Sequence, residues 1–186
     1  MELRTPRLRL RPYEPGDFEL LFRQLVLDPV VVRFWADYAD PALTEADRRA
    51  MAERDLGSWL EEGMAAGYPS WVIEAVDPTV GPDGDFVGVV GVYAAQNDFG
   101  PEPEVGCLLA SRHHGRGLAT EAMRAVTADA AERLGLRDLV AIIDEANAAS
   151  IHFVEKCGFV LEQSFVAADG SPCRRYVRRA DAAAAG

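Results

Sequence analysis

The sequence predicts a mixed α/β fold on one sheet, with about seven strands and about four helices. Three observations carry that reading. Short runs alternate apolar and polar residues early in the chain, apolar residues recur at helical spacing between such runs, and strand-like and helix-like segments take turns from residue 104 to an Asp-Gly hairpin signal near the end. The 186 residues suffice for one domain of ordinary size, read as residues 1–180, with the Ala-rich 181–186 as a frayed tail.

Leu8 and Leu10 alternate with arginines up to Pro12, which closes a short strand. Pro15-Gly16-Asp17 is a turn and helix cap, and Phe18, Leu21, Phe22, Leu25 and Val26 follow at helical spacing. A second helix is expected from Thr44 through the good helix formers Ala46 to Leu60, with Glu61 and Glu62 beyond them. Strands are expected over Trp71–Val76 and Phe86–Tyr93, joined by a turn from Asp77-Pro78 to Gly84-Asp85. A third pair of elements is the strand Glu104–Ala110 and a helix whose face holds Leu118, Ala119, Ala122, Met123, Val126, Ala130 and Leu134, stopped by Gly135. Leu139–Ile143 reads as a buried strand, Asn147–Cys157 as a helix ended by Gly158, and Phe159–Val166 with Cys173–Val177 as strands joined through Asp169-Gly170.

Composition narrows the function classes. A chain 49% hydrophobic and 26% charged is neither disordered nor collagen-like. No apolar run reaches the ~18 residues of a membrane helix, and the N-terminus lacks a secretory pattern, so a cytoplasmic protein is expected. The net charge of −11 is unevenly spread: residues 1–104 hold 20 Asp/Glu against 9 Arg, and the remainder is balanced. That distribution argues against nucleic acid and anionic membranes as partners. It suits a cationic partner such as an amine, or a solvated acidic surface. Cys107, Cys157 and Cys173 are scattered without a C-x-x-C pair, His113 and His114 are adjacent, and His152 stands apart, so neither a disulfide framework nor a metal site is expected.

Leu108-Leu-Ala-Ser-Arg112-His-His-Gly115-Arg-Gly117-Leu-Ala-Thr120 is a strand running through a glycine turn into a helix. The first N–H groups of a helix lack internal partners and sit at its positive end, where phosphate groups bind. Gly115 and Gly117 allow close backbone approach, Arg112 and Arg116 add charge, and Thr120 offers a hydroxyl. A dinucleotide site would need its glycine motif early in the chain and a third glycine where Thr120 stands.

Arg112-x-x-Gly115-x-Gly117 resembles the pyrophosphate loop of the GNAT acetyltransferase superfamily. Thr5-x-Arg7-Leu8-x-Leu10-Arg11 with Asp17 is similar to the opening strand of its RimJ/RimL-like branch, whose members acetylate ribosomal-protein N-termini. Glu104-Val-Gly106, Gly117-Leu-Ala-Thr-Glu121-Ala122 and Asn147-x-x-Ser150-x-x-x-x-Glu155-Lys156-x-Gly158-Phe159 continue the likeness, which spans about residues 5–178. The resemblance implies a splayed sheet whose strands at 104–110 and 139–143 diverge around acetyl-CoA as acyl donor. It assigns the pantetheine arm to the backbone of Leu108, Leu109 and Ala110. The pyrophosphate falls to Arg112, His114, Gly115, Arg116, Gly117, Leu118, Ala119 and Thr120, and the far side of the cofactor to Asn147, Phe153 and Lys156.

Acetyl transfer to an amine requires deprotonation of the amine, stabilisation of the oxyanion and departure of the thiolate. The likeness points to Glu104 as the base and to a backbone N–H near Leu108 as the oxyanion donor. The superfamily's common general-acid tyrosine is replaced here by Val154, and Ser150 is the candidate substitute. Asn147 and Ser150 also read as helix-capping residues, and Cys107 and Cys157 as packed thiols. The implied acceptor is a protein N-terminal α-amine. A small amine such as a polyamine or antibiotic, and a non-catalytic acyl-CoA-binding role, stay open. Trp35, Tyr38, Trp59, Tyr68 and Trp71, with Asp37 or Asp40, are candidates for the acceptor pocket or for ordinary packing, and the hairpin bearing Arg174, Arg175, Arg178 and Arg179 is the candidate homodimer contact.

Overall fold

A computed structural model describes residues 1–65, 67–93 and 101–179; the tail expected at 181–186 and the side chain of Trp59 lie outside them. Eight strands form one sheet in the order β1-β2-β3-β4-β5-β6-β8-β7. They are β1 (Leu3–Arg4), β2 (Leu8–Pro12), β3 (Ser70–Ala75), β4 (Phe86–Tyr93), β5 (Glu104–Leu109), β6 (Asp138–Asp144), β7 (Val160–Val166) and β8 (Pro172–Arg179). The strand beyond the expected seven is β1, two residues too short to show an apolar period.

Six α-helices occur among the described residues: α1 (Phe18–Leu21), α2 (Pro29–Val32), α3 (Ala36–Ala39), α4 (Glu45–Ala65), α5 (Leu118–Arg133) and α6 (Ala148–Lys156). The first expected helix, 18–26, is α1 running into a π-helical turn at Phe22–Val26. The two further helices, α2 and α3, are single turns. Asp28 caps α2 by accepting from Val30 N at 2.9 Å, with Pro29 as its first residue. Thr44 and Asp47 exchange hydrogen bonds around the start of α4, where each backbone N–H is met by the other's side chain at 2.9 and 3.2 Å.

One face of the sheet carries α5. Leu118, Ala122, Met123, Val126 and Ala130 are buried against Leu8, Leu10, Ile73 and Val90, so the helical face expected from spacing is the packed one. Full burial of the Leu, Ile, Met and Val side chains among them contributes roughly 1.5–3 kcal/mol each. The opposite face packs Leu21 and Leu25 on Val72, Phe86 and Val89. Beside it, Phe22, Val26, Val32, Tyr38 and Ala52 join α1, α2 and α4. Neighbouring strands pair antiparallel except β5 and β6, which are parallel and share a single pair, Glu104 with Val140. The arginines of the β7–β8 hairpin pair within the chain: Arg174 meets Glu145, Arg175 meets Glu102 and Glu162, and Arg179 meets Glu162 and Asp138.

The alternating arginines of β2 are held within the structure. Arg9 and Arg11 converge on the buried Glu74 at 2.7 and 2.8 Å, and Arg11 also forks onto Asp17 at 2.6 and 2.8 Å. Asp17 accepts from Glu14 N at 2.9 Å as well. Burial alone would raise the Asp17 carboxyl, but the bonds from Arg11 and Glu14 outweigh it and hold the carboxyl below its ordinary value. A carboxyl depressed in the folded state stabilises above its unfolded pKa of about 3.9, and that contribution is lost as pH falls through the folded value. Asp17→Asn is therefore expected to lower the urea midpoint at pH 7 and to converge with the parent protein near pH 2. An equal deficit at both pH values would exclude this origin.

Candidate active site

The site begins where β5 leaves the sheet. After a single 3-10 turn at Ser111–His113, Gly115 and Gly117 adopt φ +72° and +74°, and α5 starts at Leu118 with Gly117 as its cap. Side chains with a Cβ pay ~1–2 kcal/mol for that backbone region, which explains glycine at both positions. The N-cap Gly117 has no side chain to cap α5, so the first N–H groups of the helix are available to an external acceptor.

The single pair between β5 and β6 opens a cleft beyond Glu104 and Val140. Ala110 N donates to Val87 O at 3.0 Å, and the antiparallel register then turns the backbone groups of Leu108 and Gly106 toward β4 as well. The intervening residues, Cys107 and Leu109, aim their N–H and C=O groups at the gap. Leu108 and Ala110, expected beside the pantetheine arm, instead turn their backbone N–H groups toward β4, and the Ala110 carbonyl accepts from His113 N at 2.9 Å. The Leu109 carbonyl is already met by the His114 ring at 2.9 Å.

The cleft has a volume of about 580 Å³. On its loop side it is lined by Leu108, Leu109, His114, Gly115 and Gly117, then by Leu118, Ala119 and Thr120 at the head of α5. Asn147, Ser150, Phe153 and Lys156 line the α6 side. Asn147 is also the N-cap of α6, its Oδ1 accepting from Ser150 N at 3.1 Å.

Ala110, Arg112, Arg116 and Glu104 do not line the cleft. Arg112 reaches back to Phe86 O at 2.6 Å, Asp85 at 3.2 Å and Gln24. Arg116 donates to Val80 O at 3.0 Å and to Thr79 O. The carbonyls of the β3–β4 turn and of Phe86 need donors where the loop packs over them, and both arginines supply these. Their side chains therefore brace the loop from behind, contrary to the expected direct contact with the anion. His113, absent from the expected set, is 2% exposed between them, and burial, then the charge of Arg112, lowers its pKa.

Glu104 is 9% exposed at the point where the strands part, on the same face of β5 as Gly106 and Leu108. Tyr93 pairs with it across β4 and β5, and its hydroxyl lies over Gly106, where a Cβ would collide with it. Burial, then the charge of Glu104, pushes the Tyr93 phenol well above its ordinary value, so the hydroxyl stays protonated. Tyr93 lines the cleft with Val30, Arg33, Phe34 and Trp35 of the α2–α3 segment. Sequence reasoning missed Tyr93 and Arg33. The signal for Tyr93 was Gly106, a glycine inside a buried strand, which marks close approach by another group. Of the aromatic candidates, Trp35 reaches the cleft, while Tyr38 and Trp71 are core residues, with the Tyr38 hydroxyl on Asp55 at 3.0 Å. Asp37 and Asp40 do not line it. Burial raises the Cys107 thiol to about 12 and the Cys157 thiol to about 11, which leaves both as poor nucleophiles.

Outward backbone groups on β5, an uncapped helix start behind two left-handed glycines and an elongated cleft between them fit a long molecule with amides at one end and phosphates in the middle. Comparison with known proteins gives the same class. Residues 7–160 match the acetyltransferase (GNAT) domain, so the chain belongs to the GNAT family and is an acetyl-CoA-dependent N-acetyltransferase. It is 31% identical over 158 residues to the uncharacterized protein YkkB of Bacillus subtilis strain 168, covering 84% of each chain. A protein described as a GNAT-family acetyltransferase from Bordetella pertussis superposes with a TM-score of 0.72 at 27% identity, covering 96% of this chain and 99% of that one. The fold alone is shared with RimL, an α-N-protein acetyltransferase of ribosomal L7/L12, at TM-score 0.72 and 17% identity, over 98% and 99% of the two chains. Spermidine and aminoglycoside acetyltransferases share it at 18% and 21% identity.

Gly117→Glu places a carboxylate and a strained backbone at the head of α5. Calorimetry is expected to show CoA binding weakened at least a hundredfold, roughly 2.7 kcal/mol. Unchanged affinity would remove the loop from the coenzyme site.

Proposed function

We propose that the acetyl acceptor is the α-amine of a protein N-terminus, as in the RimJ/RimL-like branch. The observation that supports it is the charge at the acceptor end of the cleft. Among the described residues lining the cleft, the single carboxylate is Asp144, and the wall made by Val30, Val31, Arg33, Phe34, Trp35 and Tyr93 is apolar with one cation. A polyamine or aminoglycoside carries several positive charges and calls for several carboxylates, whereas a peptide N-terminus presents one ammonium followed by neutral backbone. The acidity of the N-terminal part therefore belongs to other surfaces in this reading.

In the proposed reaction, the acetyl thioester lies beside β5, with its carbonyl toward the Cys107 N–H, while the pantetheine amides meet the Cys107 carbonyl and the Leu109 N–H. The amine gives up a proton toward Glu104, by way of water or the Tyr93 hydroxyl, and its lone pair attacks the carbonyl carbon. The C–S bond then breaks, and the thiolate takes a proton from Ser150 or solvent. An α-amine, with a pKa near ~7.7–8.0, asks less of the base than an alkylamine near ~10.4. A direct ternary complex suits the raised cysteine pKa values, which disfavour an acyl-enzyme.

The experiment is CoA release with N-terminal peptides, spermidine and an aminoglycoside as acceptors. Peptides are expected to have the highest kcat/KM, and preference for either polycation would overturn the reading. With the peptide acceptor, Glu104→Gln is expected to lower kcat about 10²-fold and to remove the acidic limb of the pH–rate profile. An unaltered profile would exclude Glu104 as the base.

A further inference from the structure

We infer that Arg7, on the turn between β1 and β2, is a positioning residue for the coenzyme: it holds the peptide between Arg116 and Gly117 so that the Gly117 N–H faces the cleft. The inference rests on the reading of residues 111–120 as the coenzyme loop. Arg7 Nη1 donates to the carbonyl oxygen of Arg116 at 3.1 Å. A trans peptide is planar, with its C=O and the following N–H pointing in opposite directions. Fixing the Arg116 oxygen on Arg7 therefore aims the Gly117 N–H to the other side, and Gly117 is a cleft-lining residue.

This peptide needs an external hold. It runs into Gly117 and follows Gly115 by one residue, both in the left-handed region, and glycine offers little torsional resistance to a flip. Arg7 is itself firmly seated. Its Nε donates to Glu121 Oε2 at 2.7 Å, and its backbone N to Glu121 Oε1 at 2.9 Å. The Thr5 hydroxyl donates to that same oxygen at 2.6 Å, and the Arg7 carbonyl accepts from Val76 N at 3.0 Å. Glu121 lies in the first turn of α5, so a single guanidinium ties the helix head, the loop and the sheet together. The planar fork reaches two acceptors in fixed directions, which an ammonium cannot do. Arg116 is gripped a second time by its own side chain on Val80 and Thr79, so the loop is braced from two sides.

The rival is direct contact of Arg7 with a coenzyme phosphate, and Glu121 separates the two. CoA affinity is measured by calorimetry for the parent protein, Arg7→Met, Arg7→Lys, Glu121→Gln and Gly117→Glu, each checked for cooperative unfolding. Arg7→Met is expected to weaken CoA about tenfold, Arg7→Lys to recover part of that loss, and Glu121→Gln to weaken CoA two- to fivefold by loosening the fork. With a peptide acceptor, the KM for acetyl-CoA is expected to rise in Arg7→Met while kcat at saturation changes less than twofold. Tighter or unchanged binding in Glu121→Gln, unchanged binding in Arg7→Met, or a fall in kcat matching the rise in KM would overturn the inference. If Gly117→Glu binds CoA normally, the loop reading itself fails. If Gly117→Glu loses CoA while Arg7→Met keeps it, only the role of Arg7 fails.

Discussion

Everything in the site depends on where β5 and β6 stop pairing. Each is fully occupied on its other side, β5 by β4 and β6 by β8, and they join each other only at Glu104 and Val140. Above that point the two strands leave unpaired edges in the middle of a sheet, a costly arrangement unless something supplies the missing hydrogen bonds. The amides of a pantetheine arm can do so at Cys107 and Leu109. The same divergence gives α5 room to begin at the cleft and brings α6 to its other wall, so a gap in sheet pairing becomes the candidate site.

The electrostatics of the loop follow from the same geometry. In the proposed coenzyme site the surface offered to the phosphates is backbone: N–H groups at a helix head, presented by glycines in a conformation other residues resist. The side-chain cations work behind it. Arg7, Arg112 and Arg116 donate to carbonyls of Arg116, Phe86 and Val80, and so convert charge into loop rigidity. A site of this kind is preorganised, because its donors do not have to be reoriented when the ligand arrives. Several carboxylates of the acidic first part are engaged in arginine pairs, among them Glu74 with Arg9 and Arg11 and Asp85 with Arg112.

Much of this was legible in the sequence, because glycine spacing and apolar period report backbone geometry directly. The turn at Gly115 and Gly117, the buried face of α5, the cap at Asn147 and the order of elements after residue 104 all followed from such signals. Side-chain direction did not. Arg112 and Arg116 sit in the glycine loop ahead of α5, yet which way a long side chain turns is decided by carbonyls from distant segments, Thr79, Val80 and Phe86. The one-residue displacement from Leu108 and Ala110 to Cys107 and Leu109 depends on pairing parity with β4, which strand composition does not encode. Likewise α2 and α3 are single turns held by tertiary packing and local caps, too short to carry a period.

The central claim is that acetyl-CoA completes the split sheet and rests on backbone N–H groups of the loop. Amide hydrogen exchange with and without CoA reads those groups one by one. The account predicts slowed exchange at Cys107, Leu109 and Gly117 on saturation with CoA, with little change at Leu108 and Ala110, whose amides are turned toward β4. Protection that spares Cys107, Leu109 and Gly117 while CoA is bound would contradict it.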